Sequence, residues 1–152
     1  MTINELTEKD IRACAQVFVE IFNDEPWNDQ WTFERALTYI TEFFQTPNFQ
    51  GYLAMDGDDI IGFIYGVKRS WWSGDEFFIH EMGVKPAYHG QEIGSTLLDH
   101  LSKELDDKVA YLSLLTDRGM PAEAFYQKNG FEEIERLVFY SKDVQVGETV
   151  KK

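Results

Sequence analysis

The sequence has few cysteines and few positive charges, and both shortages exclude classes of protein. Cys14 is the only cysteine, which excludes an intramolecular disulfide and a metal site built from clustered cysteines. Lys and Arg number 14 against 27 Asp and Glu, giving a formal net charge of −13. Binding to nucleic acid needs clustered basic residues, so we expect no nucleic-acid partner. An acidic surface suits a cationic or amine-bearing partner, although it also serves solubility.

Targeting and membrane signals are also missing from the chain. Residues 1–10 lack the basic-then-apolar pattern of a signal peptide, and no apolar run approaches ~18 residues. We therefore expect a cytoplasmic domain with no membrane partner. Aromatic residues are plentiful, with 12 Phe, 7 Tyr and 4 Trp available for a core. The length of 152 residues favours a single domain over 1–142, followed by a polar tail over 143–152.

Apolar periodicity predicts a mixed α/β (α+β) domain with the element order β-α-α-β-β-β-α-β-α-β. An antiparallel meander in the middle is followed by a crossover helix. Helices are expected at Thr7–Phe22, Thr32–Phe43, Ile93–Leu105 and Pro121–Gly130, and strands at Thr2–Leu6, Gly51–Met55, Ile60–Lys68, Glu76–Val84, Val109–Leu115 and Phe131–Lys142.

The turn from Val84 to Ser95 is the most informative segment. A strand ends there and a helix begins near 91–94, so the first N–H groups of that helix have no partner within it. These groups lie at the positive end of the helix dipole, and Gly90 and Gly94 let a ligand approach the backbone. A diphosphate is the natural occupant of such a turn. An ordinary strand-to-helix turn containing glycine explains the same residues.

Here the sequence resembles motif A of the GNAT superfamily of acetyl-CoA-dependent N-acetyltransferases. The likeness is carried by Val-x-Pro-x-Tyr-x-Gly-x-x-Ile-Gly-Ser-x-Leu-Leu, from Val84 to Leu98. It departs from the family at His89, where Arg or Gln is usual, and at Glu92, where the first glycine is usual. The resemblance implies that backbone N–H groups bind the coenzyme A diphosphate, with contacts from Met82, Val84, His89, Gly90, Gln91, Glu92, Ile93, Gly94 and Ser95.

A second stretch, Ala122 to Phe131, resembles motif B of the same family through Phe-Tyr-x-Lys-x-Gly-Phe. The resemblance implies that Tyr126 donates a proton to the leaving thiolate and that Lys128 contacts the coenzyme; a core aromatic is the alternative for Tyr126. Gly119 stands where the family often has Asn. The family fold is a three-layer sandwich with splayed central strands. Acetyl-CoA is the expected co-substrate, and no metal is expected.

Glu81 is the candidate base, because it lies three residues before Val84 on the predicted strand, where many relatives place an acid. Burial by neighbouring elements would raise its pKa. A half-exposed surface carboxylate is the alternative. His80 would point to the opposite face of a regular strand, unless a bulge at Met82–Gly83 changes the alternation. Cys14 is expected to be a small core residue, since direct attack needs no protein nucleophile.

The segment between the first two helices usually lines the acceptor pocket in this family. Here it interleaves carboxylates with indoles, at Asp24, Glu25, Trp27 and Trp31, and Trp72 adds a further wall. Such a surface suits a cationic amine through Coulomb attraction and cation–π contact. A solvated acidic loop anchored by tryptophans is the alternative.

These observations favour an enzyme that moves an acetyl group from acetyl-CoA to the primary amine of a small cationic acceptor in a ternary complex. Two rivals stay open. One is an acetyltransferase for a protein or peptide N-terminus or for lysine, and the other is a non-catalytic acyl-CoA-binding module. A homodimer through the last strand or the aromatic surface is also left open.

Overall fold

The computed structural model describes residues 1–145. These residues fall into two compact units, Met1–Thr116 and the described part of Asp117–Lys152. A single domain over 1–142 therefore stays a prediction. Most of the expected polar tail, residues 146–152, lies outside the described residues.

The first unit is built on a five-stranded sheet in the order β1-β2-β3-β4-β5. The strands are β1 (Thr2–Glu5), β2 (Phe49–Asp56), β3 (Asp59–Arg69), β4 (Glu76–Val84) and β5 (Tyr111–Ser113). The first four pair antiparallel, and β5 runs parallel to β4. A hairpin turn joins β2 to β3 after Asp56, and Gly57 takes the positive φ of 60° that this turn requires.

Three helices flank the sheet in this unit: α1 (Ile11–Phe22), α2 (Phe33–Phe44) and α3 (Ile93–Glu104). The predicted first helix begins later than expected, because Glu8–Asp10 form a 3-10 turn in which the Thr7 N–H and hydroxyl both donate to Asp10 Oδ2 at 2.9 Å. Thr32 caps α2, with its Oγ1 accepting from the N–H of Arg35 at 3.1 Å.

The predicted three-layer arrangement is confirmed within the first unit. Helices α1 and α2 share one apolar cluster with Leu53, Phe63 and Tyr65. Alternation along β2 turns Tyr52 to the opposite face, where its ring meets His100 of α3 at 4.6 Å between centroids. The sheet therefore lies between α1 and α2 on one face and α3 on the other.

An irregularity in the pairing of β3 with β4 changes which β4 side chains face α2. Tyr65 pairs with Glu81, but the next residue, Gly66, pairs with Ile79, so His80 is an extra residue in β4. A Cβ at position 66 would lie 2.1 Å from the Phe78 carbonyl oxygen, so the bulge requires glycine here. The bulge lies at His80, not at Met82–Gly83 as considered from the sequence.

Strand β5 stops pairing with β4 before β4 ends. Their pairing covers Glu76–Phe78 of β4 and Tyr111–Ser113 of β5, while β4 continues beside β3 to Val84. The expected splay of the central strands is therefore confirmed. Among residues 1–145, no strand pairs with this edge of β4 after Phe78, and unpaired strand edges are suited to ligands with peptide-like groups.

The prediction of a last strand over Phe131–Lys142 was wrong. In the second unit α4 (Pro121–Lys128) ends before Gly130, whose φ is 91°, and residues 131–142 are coil. A strand needs a neighbour for its N–H and C=O groups. Within residues 131–142 the backbone bonds are Phe131 N–H to Tyr126 and Leu137 N–H to Ile134, neither of which belongs to a ladder.

The predicted strand Val109–Leu115 is also shorter than expected, since only Tyr111–Ser113 are paired. β5 has β4 on one side and, among residues 1–145, no strand on the other. Within the same described range, no helix is long and apolar enough to cross a membrane. The cytoplasmic location stays a prediction.

Candidate active site

The N-terminus of α3 forms a concentration of backbone donors. In the described part of the chain, the N–H groups of residues 90–95 have no protein acceptor, and the helical ladder begins with Thr96 N–H bonding Glu92 at 3.0 Å. Gly90 has a φ of 82°, and a Cβ there would meet open space. Unsatisfied donors at the positive end of a helix fit a diphosphate, so the expected coenzyme site is chemically suited to its ligand.

Two residues that depart from the family motif have defined places in this loop. Glu92 is exposed and adopts the left-handed backbone, with φ 60° and ψ 24°, where glycine is favoured. The residue therefore reproduces the backbone path that the family's glycine allows. His89 lies at the end of the preceding turn, where its Nε2 donates to the Val84 carbonyl at 2.9 Å. This bond ties the loop to the end of β4.

Glu81 is tied to α2 by a short hydrogen bond. The hydroxyl of Tyr39 donates to Glu81 Oε2 at 2.5 Å, and both side chains are part-buried. Burial first, then the charge of Glu81 and the hydrogen bond to it, raise the pKa of Tyr39. Tyr39 therefore keeps its proton and remains a donor, so one carboxylate oxygen has a fixed orientation.

His80 lies beside Glu81 on the α2 side, because β4 is not the regular strand for which the opposite face was expected. Its ring lies 4.2 Å from Phe43 of α2, centroid to centroid. The bulge explains this placement, because an extra residue puts two consecutive side chains on one face. Burial, and then the charge of Arg69, lower the pKa of His80, which favours its neutral form.

Tyr65 brings a second hydroxyl to the neighbourhood of Glu81. Its side chain is fully buried, and its hydroxyl finds no hydrogen-bond partner among residues 1–145. Burial, followed by the charges of Glu81 and Tyr39, raises the pKa of Tyr65 well above its ordinary value. An unsatisfied buried hydroxyl costs about 1–3 kcal/mol, so a polar partner at this point is favoured.

The predicted acceptor loop is anchored at its tryptophans and exposed at its carboxylates. Trp31 packs edge-on against Phe18 at 4.9 Å, and Asn23 holds its backbone N–H and carbonyl at 2.8 Å each. Trp31 also stacks near Tyr39 at 5.1 Å between ring centroids, so the loop adjoins the Glu81 partner. Among the other predicted residues, Trp27 is half-buried, and Asp24 and Glu25 are exposed.

The remaining predicted residues are Trp72, on the turn between β3 and β4, and Tyr126 and Lys128, in the second unit. Trp72 is 88% exposed on the turn between β3 and β4 and makes no aromatic contact among the described residues. In the second unit, Tyr126 is buried between Phe125 and Phe131, and Lys128 is exposed. The Gly119 N–H donates to Glu123 Oε1 at 2.9 Å. The roles of Tyr126 and Lys128 stay predictions.

Sequence reasoning missed Tyr39, although a signal for it existed. Tyr39 lies three residues after Ala36 and four before Phe43, so helical spacing puts its hydroxyl on the inner face of α2. His80 also had a signal, because a glycine inside a strand, here Gly66, often marks a bulge.

Comparison with known proteins agrees with this geometry. The profile of the Acetyltransferase (GNAT) family matches residues 11–131. The chain is 32% identical over 136 residues to the N-alpha-acetyltransferase RimI of Mycobacterium tuberculosis (strain ATCC 25618 / H37Rv), covering 88% of this chain and 80% of the relative.

Solved structures share the fold at low identity. A probable acetyltransferase superposes with a TM-score of 0.78 at 16% identity, covering 97% of this chain and all of the other. The aminoglycoside N-acetyltransferase AAC(6')-Iy, solved in complex with CoA, has a TM-score of 0.69 at 19% identity, with 93% of each chain covered.

The fold and the helix N-terminal donor cluster thus define an acyltransferase that uses a coenzyme A thioester. The chain belongs to the acetyltransferase (GNAT) family, and it is an acetyl-CoA-dependent N-acetyltransferase.

Proposed function

We propose that this enzyme transfers acetyl from acetyl-CoA directly to a primary amine that is cationic in solution, with Glu81 as the base. The observation that carries the proposal is the Tyr39–Glu81 hydrogen bond of 2.5 Å. It fixes a carboxylate on the strand that leads through Val84 into the donor cluster of α3. Nine positions of continuous backbone therefore connect Glu81 to Gly90, the first residue of the donor cluster.

The coenzyme is expected to lie along the open edge of β4 with its diphosphate at the N–H groups of 90–95. Backbone groups near Met82 and Val84 would face the thioester carbonyl and stabilise the charge that develops on its oxygen. The bound coenzyme supplies an activated acetyl group. The backbone supplies most of these contacts, so His89 and Glu92 in place of the usual motif residues are compatible with binding.

Glu81 would accept the proton that the amine must lose before attack. A small aliphatic amine with a pKa near ~10.4 is neutral in fewer than about one molecule in a thousand at pH 7. A carboxylate oriented by Tyr39 would accept this proton from the amine directly or through a bridging water. The unsatisfied Tyr65 hydroxyl supports a bound polar group close by.

Direct attack is supported by the state of the only thiol in the chain. Cys14 is fully buried on α1, and burial, then the charge of Asp10, raises its pKa to about 12. The thiolate that a nucleophile requires is therefore scarce near neutral pH. Tyr126 is proposed as the acid for the leaving thiolate on the motif B match alone.

The proposed acceptor is a small cationic amine. Exposed Asp24 and Glu25 attract cations, and the half-buried Trp27 and Trp31 offer ring faces. A peptide N-terminus is the second candidate, favoured by 32% identity to an N-alpha-acetyltransferase. An α-amine has a pKa near ~7.7–8.0, so it depends far less on a base at neutral pH.

Thiol release from acetyl-CoA, measured with a panel of polyamines, aminoglycosides and short peptides, tests the proposal. With the best acceptor, Glu81→Gln should lower kcat/KM by about 10²–10⁴-fold, the usual contribution of a general base. Tyr39→Phe should cause a smaller loss, since the carboxylate remains but is no longer oriented.

Two controls complete this experiment. Glu20→Gln changes a carboxylate that pairs with Lys85 at 3.3 Å, and it should leave kcat/KM with the same acceptor within about threefold. Acetyl-CoA affinity of the Glu81→Gln variant should be unchanged. Unaltered turnover in Glu81→Gln would remove this residue from the mechanism. Tight coenzyme binding with no turnover on any acceptor would instead favour the non-catalytic module.

A further inference from the structure

The chain takes a demanding backbone path where β4 leads into α3. Gly90 and Glu92 both have a positive φ, 82° and 60°, and the N–H groups of residues 90–95 have no acceptor in the described part of the chain. Hydrogen bonds of this kind are what normally fix a backbone in a turn or a ladder. Residues 89–92, which we call the coenzyme loop, therefore depend on the elements on either side for their shape.

The turn that precedes the coenzyme loop is well ordered. Pro86–Tyr88 form a 3-10 turn, in which the ring of Pro86 fixes one φ angle. Within this turn the Tyr88 N–H donates to the Lys85 carbonyl at 2.9 Å. The Lys85 N–H donates in turn to the Ile61 carbonyl of β3 at 2.8 Å. Backbone hydrogen bonds therefore attach the beginning of the turn to the sheet.

A side chain attaches the other end of this turn. The Tyr88 hydroxyl donates to Asp56 Oδ2 at 2.8 Å. Asp56 is the last residue of β2 and begins the hairpin turn to β3. Among residues 1–145, this is the only side-chain hydrogen bond between residues 86–95 and a strand other than β4. The β2–β3 hairpin therefore holds the turn at both ends, through Ile61 and through Asp56.

We propose that Asp56 and Tyr88 position the coenzyme loop for binding the diphosphate of acetyl-CoA. The inference rests on the proposed placement of the diphosphate at the N–H groups of residues 90–95. Tyr88 lies two residues before Gly90, the first residue of that donor cluster, so holding Tyr88 fixes the point from which the donors extend. A loop that is already ordered loses less conformational freedom on binding, which raises affinity. Asp56 and Tyr88 are positioning residues, because they act through the loop and not on the reacting atoms.

The test compares variants that break this hydrogen bond with one that keeps it, using calorimetry for the Kd and thiol release for KM and kcat. Tyr88→Phe removes the donor and keeps the ring, and Asp56→Ala removes the acceptor. Each should raise the Kd and the KM for acetyl-CoA by about fivefold, since a hydrogen bond contributes a factor of roughly 2–12. The kcat at saturating acetyl-CoA should stay within twofold of wild type. Asp56→Asn retains an acceptor oxygen, so its Kd should also stay within twofold.

Two further variants show whether the hydrogen bond itself is responsible. Asp58→Ala removes an exposed charge from the same hairpin turn, and it should not weaken acetyl-CoA binding. A double variant combining Tyr88→Phe with Asp56→Ala should bind no more than twofold more weakly than either single variant, because both changes remove one interaction. Wild-type affinity in Tyr88→Phe, or equal losses in Asp56→Ala and Asp58→Ala, overturns the proposal. Urea unfolding of every variant checks that the fold is retained.

Glu92→Gln separates this proposal from the proposed coenzyme site. Glu92 is exposed within the coenzyme loop, so removing its charge should tighten acetyl-CoA binding if the diphosphate lies there. If Glu92→Gln binds more tightly and Tyr88→Phe binds as wild type does, the site stands and the positioning role alone fails. If neither variant differs from wild type at low salt, the site fails as well and both proposals are overturned.

Discussion

Replacing Glu92 separates the two consequences of having a glutamate where the family motif has glycine. The residue combines an exposed negative charge at the proposed diphosphate site with a left-handed backbone, φ 60°. Glu92→Gln removes the charge and keeps the backbone demand, whereas Glu92→Gly removes both. Comparison of the two variants therefore isolates each effect.

The size of the charge effect follows from Coulomb's law. Two unit charges about 4 Å apart in water repel by about 1 kcal/mol, and a diphosphate several ångströms further away carries more than one charge. We therefore expect Glu92→Gln to tighten acetyl-CoA binding by about 1 kcal/mol, or about fivefold. Added salt should shrink the gain, because the Debye length falls to about 3 Å at 1 M.

The backbone effect is read from folding stability. A left-handed conformation costs a non-glycine residue about 1–2 kcal/mol, while glycine raises the entropy of the unfolded chain by about 0.4–1 kcal/mol. Glu92→Gly should therefore gain up to about 1 kcal/mol in the free energy of unfolding. Glu92→Gln should gain nothing, because it also loses a favourable contact with the helix dipole.

Isothermal titration calorimetry with acetyl-CoA and urea unfolding measure these two quantities. Asp99→Asn is the control, because it removes the same charge from an exposed position about 10 Å further along α3. Its affinity for acetyl-CoA should match wild type within twofold. If all three variants bind acetyl-CoA equally at low salt, the diphosphate does not lie at the N-terminus of α3 and the proposed coenzyme site is wrong.

Three further predictions concern the strands and the core. Gly66→Ala should lower the free energy of unfolding by about 3 kcal/mol or more, because its Cβ would lie 2.1 Å from a carbonyl oxygen. Gly57→Ala, with open space around it, should lower this free energy by about 1 kcal/mol. Urea unfolding compares the two variants, and similar losses would argue against the bulge. Cys14→Ala should lower the free energy of unfolding by about 1–2 kcal/mol and leave turnover within twofold of wild type. A hundredfold loss of turnover would mean that the thiol takes part in the reaction. His80 has a lowered pKa in the folded state, so the unfolded chain binds the proton first and stability falls as the pH drops below about 6.5. In urea unfolding between pH 7.5 and 5.5, the His80→Phe variant should show a smaller loss of stability than wild type. Equal losses in the two proteins would contradict this explanation.

Much of the fold and part of the site could be predicted from local pattern. The meander, the turn at Gly57 and the helix at Ile93 follow from alternation, turn residues and helical spacing. Glu81 could be assigned to β4 because the strand was clear and its neighbours form a recognisable motif. These features depend on residues that are close in sequence, so the sequence contains most of the information.

The remainder depends on contacts between distant residues. Tyr39 and Glu81 are 42 positions apart, and nothing near either residue shows that they meet. The side chain of His80 could not be oriented without knowing that Gly66 permits a bulge. The strand expected at Phe131–Lys142 has the right composition, but a strand forms only where another strand completes its hydrogen bonds, and alternation does not show which neighbour is available.

The end of pairing between β4 and β5 has a consequence for the evolution of this enzyme. A ligand that docks on a strand edge is recognised through peptide groups, which every residue type supplies. Recognition of this kind makes few demands on exposed side chains along the edge, whereas buried Ile79 and the proposed base Glu81 are constrained by other contacts. With the coenzyme docked as proposed, substitutions that alter the choice of acceptor would accumulate without loss of the donor.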